Sequence, residues 1–264
     1  FNINPGLRYT FVNYDKEDYF RNQWDNTNED AFIYSLGLFY KFSEKYRAYF
    51  SYSKGYKMPQ IRIAFVTNGD LDAEKSNNYE IGLRTQPTNW LELELAAYIL
   101  DFDHKIFNEG GLLNNGDKAL HRGIEVSGSI YPIEGLKLYG SGAIQKATIE
   151  YGMYKGNIVP YAPHYTATAG AKYQFTLGEG TLTLNSYANF VSSQFSDTKN
   201  TAVGSANGNV GLIPKFFLLN ATANYSIKQW NVNLNALNLL NRKYFTTRHS
   251  AWGGIMPAAT ISIL

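Results

Sequence analysis

The chain has 264 residues, of which 44% are hydrophobic, 16% aromatic and 17% charged, with a formal net charge of +2 and no cysteine. Charge is scarce against the roughly 25% of an ordinary soluble domain; so small a net charge gives no nucleic-acid footprint, and the lack of cysteine excludes disulfides, thiolate metal sites and cysteine nucleophiles. Apolar runs such as Leu95–Leu100 stop after six residues, far short of the ~18 that a membrane-spanning helix needs, so helical crossing is excluded as well.

Phe1 stands inside the first alternating segment with no initiator methionine or signal peptide before it, which reads as a mature fragment whose N-terminus lies elsewhere. From there, period-2 alternation predicts twelve strands, at 5–14, 31–42, 46–56, 77–86, 90–102, 119–131, 136–150, 164–175, 181–193, 215–227, 230–240 and 258–264. In Trp230–Leu237, for example, Trp230, Val232, Leu234 and Ala236 interleave with Asn231, Asn233 and Asn235. In the sixth segment Ile124, Val126 and Ile130 interleave with Glu125, Ser127 and Ser129.

The connections alternate in length. Short turns lie at 43–45, 87–89, 132–135, 176–180 and 228–229, and long polar loops at 15–30, 57–76, 103–118, 151–163, 194–214 and 241–257. Tight turns on one rim and long loops on the other describe an antiparallel up-and-down transmembrane β-barrel, with short periplasmic turns and long external loops. A soluble sandwich or β-helix would use strands of ~5–6 residues, and most of these run ten or more.

Aromatic residues flank the short turns: Phe42, Tyr46, Trp90, Tyr131, Phe175 and Trp230 read as a membrane-interface girdle. A second set, including Tyr14, Tyr56, Phe102, Tyr151, Phe190, Tyr244 and Phe245, marks the loop rim. The ten residues from Tyr46 to Tyr56 make about 33 Å of strand, or roughly 23 Å of membrane normal at ~45° tilt.

Catalytic and metal-binding residues are not assigned. Asp101, Asp103 and His104 suggest an acid–base or metal cluster, but without a partner across strands they read as a solvated strand-to-loop boundary. His164, after Pro163, reads as an interfacial ring, and the glycine pairs match no phosphate-binding pattern. Loop charge is the one clue to a ligand: the first long loop is acidic, whereas the last holds Arg242, Lys243, Arg248 and His249 with no acid. Arg248, His249 and Trp252, helped by Arg62 and Lys57 of the second loop and by His121 and Arg122 at a strand mouth, are therefore candidate contacts for an anionic ligand such as a polycarboxylate chelate. Contact of these residues with lipopolysaccharide phosphates is the competing reading.

Several segments carry a family resemblance in order. They are 51–59 (Ser-Tyr-Ser-Lys-Gly-Tyr-Lys-Met-Pro), 73–84, 122–126 (Arg-Gly-Ile-Glu-Val), 161–164, 219–225 and 237–245 (Leu-Asn-Leu-Leu-Asn-Arg-Lys-Tyr-Phe). With these the chain resembles the C-terminal barrel portion of TonB-dependent outer-membrane receptors, and segments 196–214 and 244–248 with 254–257 look like the ferric dicitrate type. The resemblance implies that all of 1–264 is the C-terminal part of a 22-stranded barrel. The N-terminal plug domain and about ten strands would then lie outside the chain.

It also implies a bacterial outer-membrane location, coupling to the TonB complex through that N-terminal region, contact with outer-membrane lipid and lipopolysaccharide, and a ferric chelate as substrate. Iron would travel only as chelated cargo, with no resident cofactor. Import would proceed by closure of loops 57–76 and 103–118 and remodelling of the plug, and the protein would not be an enzyme. The alternative is a self-contained twelve-stranded pore or barrel enzyme, in which the first and last strands pair. A third possibility, a surface adhesin, predicts solubility without detergent.

Overall fold

The structure, a computed structural model, describes residues 1–18, 23–58, 72–109, 112–249, 254–257 and 262–263. Its strands are β1 (Asn2–Asp18), β2 (Gln23–Lys41), β3 (Tyr46–Lys57), β4 (Glu74–Thr88), β5 (Leu91–Glu109), β6 (Leu112–Ile133), β7 (Leu136–Ile149), β8 (Tyr165–Leu177) and β9 (Gly180–Val191). They continue with β10 (Gln194–Phe195), β11 (Leu212–Ile213), β12 (Phe216–Ile227), β13 (Trp230–Leu237), β14 (Phe245–His249), β15 (Gly254–Pro257) and β16 (Ser262–Ile263). Twelve of them form one antiparallel sheet in the order β1 to β9, β12, β13, β16, and β10–β11 and β14–β15 are separate two-stranded pairs.

The sheet is curved but open. β1 pairs with β2, and β13 pairs with β12 and β16, with no ladder joining the two ends among the described residues. Among the described residues, therefore, the closure that a self-contained twelve-stranded pore requires is not seen.

All twelve sheet strands match a predicted one, but several are longer. The regions read as loops at 15–30 and 103–118 are largely hairpin: β1 and β2 pair out to Asp18↔Gln23, and β5 and β6 out to Glu109↔Leu112. The 22 residues of β6 make roughly 50 Å of membrane normal at ~45° tilt, about twice the ~25 Å apolar band. Hydrophobic alternation marks only the part with one face in lipid, whereas the backbone ladder continues beyond it. β13 stops early because Asn238 and Asn241 adopt φ of 53° and 48°, a turn closed when the Asn238 side-chain oxygen accepts from the Arg242 amide at 3.0 Å.

Facing is set by register. Glu92, Glu94, Ser127, Ser129, Tyr139 and Lys172 line a concave polar cavity of about 880 Å³ on the inner side. Alternate positions carry exposed apolar side chains, among them Leu7, Phe11, Ile81, Leu95, Ile99, Ile124, Ile144 and Val232. The turn-side rings Phe42, Tyr46, Trp90 and Trp230 are exposed and Phe175 is half-buried. Tyr131 departs from the predicted girdle. It shares the inward parity of Ser127 and Ser129, its hydroxyl donates to Glu92 Oε2 at 3.0 Å, and Lys137 Nζ lies 5.5 Å from its ring centroid. Phe102 also turns inward, packed against Ala119 and Ile149.

Part of the tyrosine excess therefore belongs to the inner wall, where a joint recurs. Tyr49 lies over Gly82, Tyr98 over Gly123 and Tyr139 over Gly170, each on the neighbouring strand. Their hydroxyls donate to Glu80 (2.7 Å), Gln145 (3.2 Å) and Asn185 (2.9 Å) respectively. A Cβ on Gly170 would meet Tyr139 Cζ at 2.5 Å and the Ser186 carbonyl oxygen at 2.9 Å. The ring covers a bare backbone patch, and in the Tyr98 and Tyr139 joints the hydroxyl reaches a third strand. Gly170→Ala is expected to destabilise the protein by about 1–3 kcal/mol through overpacking, and less in a Tyr139→Ala background. Calorimetry in detergent checks this, and strictly additive costs would show that the two residues do not form a joint.

Candidate functional site at the loop rim

The inner wall at the loop end holds a connected charged and aromatic cluster. β3 ends at Lys57 and β4 begins at Glu74, directly opposite in the ladder. Glu74 Oε2 lies 3.1 Å from Lys57 Nζ, and its Oε1 lies 3.5 Å from Lys105 Nζ and accepts the Ile106 amide at 2.8 Å. The Glu74 side chain is 5% exposed, whereas those of Lys57 and Lys105 are 66% and 22% exposed. Lys105 Nζ sits 4.0 Å from the Phe102 centroid, and Phe102 meets His121 edge-on at 5.5 Å.

Lys105 reaches this position because β5 bulges between Phe102 and Lys105, with His104 at φ 55°. Among the described residues one carboxylate thus faces two ammonium groups. Burial alone would raise the Glu74 carboxyl, but the Ile106 amide, Lys105 and Lys57 together hold it below the usual carboxylate range. A carboxyl lowered on folding stabilises the cluster above its unfolded pKa, and that contribution is lost as pH falls through the folded value. Protection of the Ile106 amide, normalised to its intrinsic exchange rate, is therefore expected to hold at neutral pH and to drop only on acidification below the ordinary carboxylate range. Protection that stayed constant down to full protonation would contradict this.

A second assembly caps the mouth beside the cluster. The 150–163 loop folds over the inner side of β7: the Ile149 amide donates to Asn157 O at 2.9 Å and the Val159 amide to Ala147 O at 3.0 Å. Phe107, Ala119, Ala147, Ile149 and Val159 form its buried core, and Phe102 packs against them from the charged cluster.

Asn200, at φ 56°, joins this loop to the 194–214 loop. Its Oδ1 accepts the Ile158 amide at 2.7 Å and its Nδ2 donates to Ile158 O at 2.8 Å. Asp197 fixes the turn around Asn200 by accepting from Thr201 Oγ1 (2.7 Å) and the Thr201 amide (3.1 Å). Arg248 of β14 closes the assembly. Its guanidinium donates to Gly208 O at 3.0 Å and to Leu212 O at 3.1 and 3.3 Å and lies over Phe245, while its own carbonyl accepts the Tyr161 hydroxyl at 2.6 Å.

The predicted ligand contacts thus separate. Lys57 and His121 join one inward cluster through Lys105, Phe102 and Glu74, none of which sequence reasoning placed in a site. Arg248 spends its donors on backbone carbonyls of the cap. Arg122, one residue from His121, takes the opposite parity, on the face of Ile99 and Ile124. Arg62 and Trp252 lie outside the described residues; His249 pairs with Gly254 through its backbone, and its side chain lies outside the described atoms.

The family model "TonB dependent receptor-like, beta-barrel" matches residues 1–239. The pesticin receptor of Yersinia enterocolitica is 25% identical over 231 residues, covering 83% of this chain and 33% of that protein. Among solved structures, the unliganded ferric citrate transporter FecA superposes with a TM-score of 0.80 at 25% identity, over 99% of this chain and 41% of that one. The ferric yersiniabactin uptake receptor FyuA of Yersinia pestis superposes with a TM-score of 0.72 at 21% identity, over 99% of this chain and 40% of that one. The chain therefore spans about a third of the length of the curated relatives it matches.

Proposed function

The chain belongs to the TonB-dependent receptor β-barrel family, and from that premise we propose that it supplies barrel wall and external rim to a receptor importing an anionic ferric chelate across the bacterial outer membrane. The observation that carries the ligand class is the inward cluster at the mouth, where, among the described residues, Lys57 and Lys105 share the carboxylate Glu74. Ammonium groups in a partly desolvated mouth attract and orient a polycarboxylate or similar chelate. The similarity to FecA supports ferric citrate as the first ligand to try.

In this reading the remaining strands and a plug domain belong to the rest of the receptor, and TonB drives release through the plug. The segments left to close over a chelate are those flanking the charged cluster, because the cap formed by 150–163 and 194–214 is already tied together. Binding of ferric citrate to the complete receptor, followed by quenching of intrinsic fluorescence, tests the ligand class. The K57Q/K105Q double variant is expected to bind about tenfold more weakly. Unchanged affinity would remove the mouth cluster from the ligand site.

A further inference from the structure

We propose that Asn207 is a site of spontaneous deamidation held in check by the Arg248 clamp, and that the isoaspartate it yields unlocks the cap. Asn207 is exposed and precedes Gly208, whose lack of a side chain leaves its amide nitrogen open to ring closure. The two stand in a turn closed by the Gly208 amide, which donates to Ser205 O at 2.8 Å. Asn207 Oδ1 accepts from Ser205 Oγ at 2.7 Å and from the Asn209 amide at 3.2 Å. Two donors on one carbonyl oxygen make Cγ a better electrophile and stabilise the negative charge which that oxygen gains when a nucleophile adds.

The nucleophile is the Gly208 nitrogen. It attacks Asn207 Cγ, the bond from Cγ to the side-chain nitrogen breaks, and ammonia leaves with the proton that the Gly208 nitrogen gives up, closing a succinimide ring. Water then opens the ring. Addition at the former side-chain carbonyl gives aspartate; addition at the main-chain carbonyl gives isoaspartate, which routes the backbone through an extra carbon. No atom is oxidised or reduced. While the cap is closed this nitrogen is restrained: its proton is committed to Ser205 O, and Gly208 O accepts from Arg248 Nη1 at 3.0 Å. Reaction therefore waits for local opening, and its rate follows the open population. The longer backbone of isoaspartate displaces Gly208 O from Arg248 and removes an acceptor from the clamp, so conversion leaves the 194–214 loop looser than before. The inference is independent of the chelate.

The test is peptide-map mass spectrometry of the complete receptor, aged in detergent at mildly alkaline pH, with isoaspartate told from aspartate by electron-transfer fragmentation. The peptide holding Asn207–Gly208 is read apart from those holding Asn68–Gly69 and Asn115–Gly116. Arg248→Ala is expected to deamidate at Asn207 at least about tenfold faster than wild type while both are folded, and at the same rate once both are unfolded in urea. Arg248→Lys should fall between them. Equal folded rates, or a folded wild-type rate equal to that in urea, would overturn the gating, and an Asn207 left intact in aged Arg248→Ala would overturn the site. For the consequence, proteolysis of the 194–214 loop should rise with the isoaspartate fraction and stay at its starting level in Asn207→Asp, which keeps the backbone length and both accepted hydrogen bonds. Cleavage that does not follow the isoaspartate fraction would overturn the unlocking.

Discussion

Replacing Arg248 by alanine is expected to release the 205–212 segment while leaving the barrel ladder intact. The guanidinium makes three hydrogen bonds to two backbone carbonyls, Gly208 O and Leu212 O, and covers the Phe245 ring. Hydrogen bonds from a charged donor contribute about 1.5–3 kcal/mol each; sharing of one acceptor and partial exposure bring the combined loss to roughly 3 kcal/mol. Amide exchange in 205–212 should then rise on the order of a hundredfold, since ~1.4 kcal/mol is a factor of ten. Strands β5–β9 should keep their protection. Arg248→Lys should restore only part of it, because an ammonium group cannot reach both carbonyls in the planar fork geometry. Unchanged exchange in Arg248→Ala would mean that the hydrogen bonds donated by the Gly211 amide to Ser196 Oγ (3.0 Å) and by the Val210 amide to Ser205 Oγ (3.2 Å) hold the loop alone. Any loss of chelate affinity in this variant would reflect cap disorder, so Lys57 and Lys105 test the ligand directly and Arg248 does not.

Asn200→Ala is expected to have the other large effect. The side chain caps both the amide and the carbonyl of Ile158, and the residue adopts φ 56°, which asparagine tolerates better than alanine. Its removal leaves a part-buried donor and acceptor unpaired and adds backbone strain, together costing about 3 kcal/mol. The 150–163 and 194–214 loops should then part. Limited proteolysis of the complete receptor would show new cleavage in both loops, whereas resistance equal to wild type would refute the clasp. Asn200→Asp is expected to lose less than alanine, because its carboxylate still accepts from the Ile158 amide.

Alternation of side chains marks the twelve sheet strands, and it also fixes which face each residue of a strand takes. Glu125, Ser127 and Ser129 already form the polar set of β6; the same parity carries Tyr131 and His121 inward and Arg122 outward with Ile124 and Val126. Nearness to a turn suggests the girdle for Tyr131, and a place at a strand mouth suggests a ligand contact for Arg122, whereas on a strand a shift of one residue changes the face. The hairpin extensions, β10–β11 and β14–β15 were not legible, since ladders outside the membrane need no hydrophobic pattern. The Lys57–Glu74–Lys105 cluster depends on a bulge, and the Asn200 and Arg248 contacts on backbone groups. None of these leaves a periodic trace in side-chain chemistry.

The cap also constrains the order in which the molecule can assemble. Tyr161 meets Arg248 across 87 residues, and Arg248 meets Gly208 and Leu212 across 40 and 36. The ladder is built from neighbours in sequence, hairpin upon hairpin, with low closure entropy at each step. The cap instead waits for β8, β9, β12 and β13 to be in place before its last member arrives. Refolding should therefore pass through a species with a complete ladder and an unclasped rim, in which external loops are accessible after the wall has formed. During biogenesis the outer surface of the barrel is settled before its mouth is.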